Sequence, residues 1–175
     1  MGFKITQQEQ AEIDATATVT GTVTADQGDA GSDPWLIADD WHPILRSDET
    51  ADDSDKTFTV GADTEEQVLW IWVELASDAN AGDRQIVMQL QDNGADVIAE
   101  WRAGTTQAAS LTRYYCFAPS NADLTDFRDT DYLMTPIPPT VILPASYVVR
   151  VYDNNAVSAA GDDMVLQMMV ARRSV

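Results

Sequence analysis

The sequence predicts an all-β protein: an antiparallel two-sheet sandwich, jelly-roll-like, with an extended N-terminal arm. Three observations carry this. From Gln67 to Val170 short segments of period-two alternation follow one another. Turn-forming clusters separate them at short intervals. No segment shows the 3.6-residue period of an amphipathic helix. About eight strands result, a number that suits two packed sheets.

The arm comes first. Residues 1–14 are polar and read as an extended lead. Residues 15–24 (ATATVTGTVT) place threonine at every even position, a strand pattern of small β-branched residues. Residues 25–34 form a glycine- and aspartate-rich loop. Trp35 and Trp41 bracket a short apolar segment and read as anchors. Residues 46–56 (RSDETADDSDK) read as a charged linker or exposed loop. The expected division is therefore 1–56, arm and acidic linker for attachment or oligomerisation, and 57–175, sandwich.

Within the sandwich, Gln67–Ala76 is the strongest strand. It is apolar on both faces over Val68–Val73, which predicts a position in the middle of a sheet. Arg84–Asp92 alternates, with Ile86, Met88 and Leu90 on one face and Gln85, Gln89 and Gln91 on the other. Asp92-Asn93-Gly94 predicts a hairpin turn, with Val97–Arg102 returning. Ser110–Phe117 is the next strand and residues 118–130 a polar loop. Pro136, Pro138 and Pro139 predict a sheet edge or corner. Tyr147–Tyr152 and Met164–Arg172 complete the set.

Reactive side chains are scarce. The chain has one histidine, His42, and one cysteine, Cys116, which together fall short of a zinc site. His42 reads as structural or exposed, and Cys116 as a buried, inert thiol. Acidic runs at 48–55 and at Asp162-Asp163 raise calcium, but the first lacks the central glycine of the helix-loop-helix calcium loop. They read as solvated loops. Glu74 and Glu100 are the one carboxylate pair on strands that evokes sugar hydrolysis. Trp70, Trp72 and Trp101 read as core aromatics, with a sugar-stacking platform as the alternative. No nucleophile motif, phosphate-cradling loop or cofactor signature is present. The sequence therefore points away from an enzyme and implies no cofactor and no metal.

The formal charge is −19. Residues 1–66 hold 16 acidic and 3 basic side chains, and residues 67–175 hold 13 and 7. Such a chain repels nucleic acid and anionic lipid, so neither is an expected partner. No apolar run approaches the roughly 18 residues of a membrane helix. The polar, acidic start lacks the pattern of a signal peptide, and a lone cysteine accords with cytoplasmic synthesis.

Three stretches resemble tailed-bacteriophage virion proteins. GTVTADQGDAGSDPW (21–35) is similar to a recurrent Thr/Val strand, glycine loop and Pro/Trp step near the base of fibre or decoration proteins. TFTVGADTEEQVLWIWVELASDANAGDRQIVMQLQD (57–92) and TPIPPTVILPASYVVRVYDNNAVSAAGDDM (135–164) resemble a β-sandwich module of phage structural proteins. The resemblance covers about half of the chain. It implies a virion component made in the host bacterial cytoplasm, with a capsid decoration (cement) protein as the expected role. The major capsid protein or another virion protein would be the partner, and a homotrimer the oligomer. A head-fibre or tail appendage that binds a host glycan is the alternative. No catalytic residue carries over. The residues expected to meet a partner are Thr18, Val19, Thr20, Thr22, Val23, Trp35 and Trp41.

Overall fold

The computed structural model describes residues 41–120, 129–155 and 161–175, all within the unit Ala38–Val175. These residues hold ten strands: β1 (His42–Asp52), β2 (Lys56–Thr59), β3 (Thr64–Ala76), β4 (Ile86–Gln91), β5 (Val97–Arg102), β6 (Thr112–Pro119), β7 (Tyr132–Ile137), β8 (Ile142–Leu143), β9 (Val148–Asp153) and β10 (Asp163–Ser174). They form two sheets. Sheet A runs β1-β10-β3-β6-β7, with β8 also on β3, and sheet B runs β2-β9-β4-β5.

The pairing follows one rule. Outermost strands pair with outermost, β1 with β10 and β2 with β9, then β3 with β6 and β4 with β5, all antiparallel. This is a long antiparallel ribbon folded over on itself. The fold then brings β10 against β3 and β9 against β4. The arrangement is a jelly roll of eight strands. Strands β7 and β8 are an insertion between its sixth and seventh members.

The core lies between the sheets. Sheet A contributes Val68, Ile71, Val73 and Leu75 from β3, Tyr115 and Phe117 from β6, and the even-numbered residues Met164–Val170 from β10. Sheet B answers with Ile86, Met88 and Leu90 from β4 and Val149 and Val151 from β9. The Ile86/Met88/Leu90 face is the one the alternation predicts. Strand β3 lies inside sheet A, as its two apolar faces require.

Three local outcomes differ from the sequence reading. Residues 46–52, read as linker, belong to β1, which lines the edge of sheet A along β10. Their charges find partners within the fold. Arg46 donates to Glu66 at 2.8 Å, and Lys56, fully buried, donates to Asp52 Oδ1 and the Thr50 carbonyl, both at 2.7 Å. The sandwich thus begins upstream of residue 57. Second, β7 runs parallel to β6 at the other edge. Residues 120–131 supply the long connection that a parallel pair needs, and Pro136 lies on an edge strand, where its missing N–H is tolerated.

Third, the β4–β5 turn places its left-handed residue one position late. The Ala95 amide donates to the Asp92 carbonyl at 3.1 Å, so Asn93 and Gly94 occupy the centre of the turn and Ala95 carries φ 67°. That is a type I turn followed by a left-handed residue. Ala95→Gly should therefore raise stability by about 0.5–1 kcal/mol, the strain relieved less the added backbone entropy of the unfolded chain. A higher urea midpoint at constant m-value is the expected reading.

A polar cluster closes one end of the sandwich. Arg84 is fully buried. Its Nε donates to Asp162 Oδ2 at 2.8 Å and its Nη2 to Asp78 at 2.7 Å, while Nη1 donates to the carbonyls of Asn80 and Gly82. Its backbone forms a two-way bridge with Gln107. Gln107, also buried, donates to the carbonyls of Leu75 and Leu111 and accepts from the Tyr115 hydroxyl at 2.9 Å. Burial pushes the Tyr115 phenol up to about 12.

Asp53 and Asp153 lie beside this cluster. Burial raises both carboxyls above their usual range, and the negative charges of Asp162 and Asp153 add to the effect at Asp53. A carboxylate raised in the folded state gives stability that is present below its unfolded pKa, near 3.8, and is lost as pH rises through the folded value. Acidification through the raised folded values toward about 3.8 should thus stabilise the fold, and Asp153→Asn should flatten that gain. At lower pH the opposite group takes over. Hydrogen bonding to Lys56 holds Asp52 down at about 2, so its contribution is lost only as pH falls toward that value. Urea midpoints across the pH series give the check; a slope unchanged in Asp153→Asn would refute the assignment.

Candidate contact surface

The two outer faces of the sandwich differ in chemistry. On sheet B the side chains opposite the core are polar and satisfy one another. Arg150 pairs with Asp55 and lies over the Tyr152 ring at 4.2 Å. Gln89 donates to Glu100 at 2.7 Å and to the Tyr152 hydroxyl, and Arg102 pairs with Glu100 at 2.6 Å. These hydrogen bonds hold the Glu100 carboxyl below its usual range, that of Gln89 most of all. Exposed large apolar side chains on this sheet are confined to Val97 and Ile98 of edge strand β5.

Sheet A turns apolar and aromatic residues outward. One row across it reads Leu45, Met169, Trp70. The next reads Gln167, Trp72, Cys116, Met134. A third reads Val165, Glu74, Tyr114, Tyr132. Leu45 is 53% exposed and Tyr132 45%. Ile142 of β8, at 42%, extends the patch. Three rings form a ladder: Trp72 stacks on Tyr114 at 5.7 Å between centroids, and Tyr114 on Tyr132 at 4.5 Å. Outward apolar surface of this kind is the usual chemistry of a contact surface, which makes this face the candidate.

The charges around this face are one-sided. Of the ten Lys and Arg residues in the chain, Lys4 and Arg128 lie outside the described residues, which leaves eight. All eight are ion-paired with carboxylates, from Arg46–Glu66 at 2.8 Å to the looser Arg113–Asp131 at 3.9 Å. Glu74, amid the aromatic rows, has no cationic partner among the described residues. Its charge raises the Tyr114 phenol.

Several sequence expectations are revised here. Trp70 and Trp72, read as core, are half-buried on the outer face. The core positions of β3 are Val68, Ile71, Val73 and Leu75, because a bulge at Leu69–Trp70 shifts the alternation. Trp101, read with them, does pack against the core. Cys116 is half-buried on the outer face and is not a core thiol, though burial still pushes its thiol up. Glu74 and Glu100 point from opposite faces of the sandwich. With sheets about 10 Å apart and both side chains directed outward, the two cannot flank one glycosidic bond. Asp162 is fully engaged by Arg84, and no cluster of three or more potential metal ligands occurs among the described residues. His42 is half-buried at the start of β1.

Of the residues expected to meet a partner, Trp41 alone is described. It is half-buried beneath Arg173, whose guanidinium lies 4.8 Å from the ring centroid and is paired with Glu65. Thr18, Val19, Thr20, Thr22, Val23 and Trp35 lie outside the described residues. What sequence reasoning missed is the outward ladder. Trp72, Tyr114 and Tyr132 lie on three strands, and only the register β3-β6-β7 brings them together.

No protein-family model matches the chain, and no curated protein matches it. Among solved structures it is similar over 76% of its length to a chain of infectious bursal disease virus, Gx strain, with TM-score 0.37 and 11% identity. A chain of the T13 IBDV viral particle gives TM-score 0.33 and 8% identity over 76%. Dimeric latent PorU from Porphyromonas gingivalis gives TM-score 0.36 and 9% identity over 77%. The chain spans 37%, 36% and 13% of those three chains respectively.

Proposed function

We propose that this chain is a non-enzymatic structural component of a virion, with capsid decoration as its particular role. The observation that carries the reading is the contrast between the two outer faces. Sheet B is closed by its own ion pairs, whereas sheet A presents aromatic surface outward. A jelly roll with one sealed and one adhesive face suits a subunit laid on a protein lattice. The sequence resemblance to phage virion proteins supports the same reading. The partner is the major capsid protein or another virion protein. A trimer, and a further contact through residues 15–24 pairing as an added strand on another chain, complete the proposal.

Copy number tests it. Quantitative gels of purified particles should show the chain at a number set by an icosahedral lattice. Absence from particles would refute the reading. A few copies per particle would favour the second one, an appendage that binds a host glycan. The observation for that alternative is Tyr132, an exposed ring at the end of the ladder. The inner rings already spend faces on one another, which leaves little for a sugar to stack on. Glycan-array binding abolished by Tyr132→Ala would establish it.

A further inference from the structure

We infer that the outer face of sheet A docks a protein surface with an apolar centre and a lysine or arginine rim, gripped by the Trp72–Tyr114–Tyr132 ladder and by Glu74. The inference rests on the attachment reading and adds the chemistry of the partner. Charge supplies the argument. Every cation among the described residues lies within ion-pair distance of a carboxylate, Arg113 only loosely at 3.9 Å with its Nε making no hydrogen bond. Among the described residues nothing on this face therefore answers an anionic partner. A second copy laid on this face would offer Glu74 only cations that are themselves ion-paired among the described residues, so the contacts of a trimer would lie elsewhere. Glu74 lies between Val165 and Tyr114 without a cation among the described residues to neutralise it. An apolar partner that buried it unpaired would incur the desolvation penalty of a lone carboxylate. A partner cation placed over Glu74 and the Tyr114 ring removes that penalty and gains a contact with the ring face or edge. The aromatic rows supply the buried area, and the carboxylate sets the sign of the partner.

Cys116 is a reporter built into the site. It is the one cysteine of the chain and lies between Trp72 and Met134 in the middle row. The full chain is labelled with N-ethylmaleimide at about pH 9.5, above the ordinary thiol range, because burial pushes the Cys116 thiol up. Labelling is repeated with a nine-residue peptide of alternating leucine and lysine, and with oligolysine of equal charge. The Leu/Lys peptide should slow labelling about tenfold, and oligolysine should leave it near the free rate. Glu74→Lys should abolish the protection. Asp96→Lys, which makes the same change in net charge at the tip of the β4–β5 turn, should retain it. Absence of protection in the wild type overturns the inference. So does equal protection by oligolysine, or an equal loss in both variants, since either would mean general charge attraction. Failure of the virion reading shows separately, in the particle copy number.

Discussion

Arg84→Ala should cost about 3–5 kcal/mol of stability, the range seen when one partner of a buried ion pair is removed. The reason is what it leaves behind. Asp162 is 1% exposed and spends both oxygens on Arg84, at 2.8 and 3.0 Å. Without the guanidinium it becomes a buried carboxylate without a counter-charge from Arg84, held by the Asp78 amide at 2.8 Å. The carbonyls of Asn80 and Gly82 also lose the hydrogen bonds Arg84 gives them. Arg84→Lys should be nearly as harmful, because an ammonium cannot reproduce a planar fork that serves two carboxylates and two carbonyls. Urea denaturation gives the reading: a large fall in midpoint for both variants. A loss under about 1 kcal/mol would mean that water or a rearranged loop replaces the fork.

The second large effect concerns attachment. Trp72→Ala should weaken retention of the chain on particles at least tenfold, since a central aromatic at an interface carries much of the binding energy. It should leave folding nearly intact, because Trp72 faces outward. Trp101→Ala should do the reverse. That ring packs against the core from β5, opposite Met88. Its removal should cost about 2–3 kcal/mol of stability, less than a fully enclosed tryptophan, and leave attachment by folded protein unchanged. Equal behaviour of the two variants in co-sedimentation with particles would remove the ladder from the contact.

These two tryptophans also show how far the sequence could be read. Strand positions and the Ile86/Met88/Leu90 face were legible because a sheet with one buried side forces period two. The all-β class, the central place of β3 and the edge position of Pro136 followed from the same local patterns. The facing of Trp70 and Trp72 was not legible, because one extra residue at the bulge reverses the alternation. Nor was the charged stretch 46–52 recognisable as a strand. Its ion partner Glu66 is 20 residues away from Arg46, and long-range pairing leaves no mark in a local window. The ladder was hidden for the same reason: its rings come from residues 72, 114 and 132. The resemblance to phage virion proteins implies a class of assembly, while the aromatic outer face emerged only from cross-strand register.

Because the first strand of the ribbon lies beside the last, Trp41 and Arg173 meet at one corner of sheet A. A cargo fused after Val175 would thus leave the sandwich at the corner where β1 begins, on the layer opposite the ion-paired face of sheet B. A short bridge could also join the two sites and allow the strand circuit to be reopened at an exposed turn such as Asn93–Ala95.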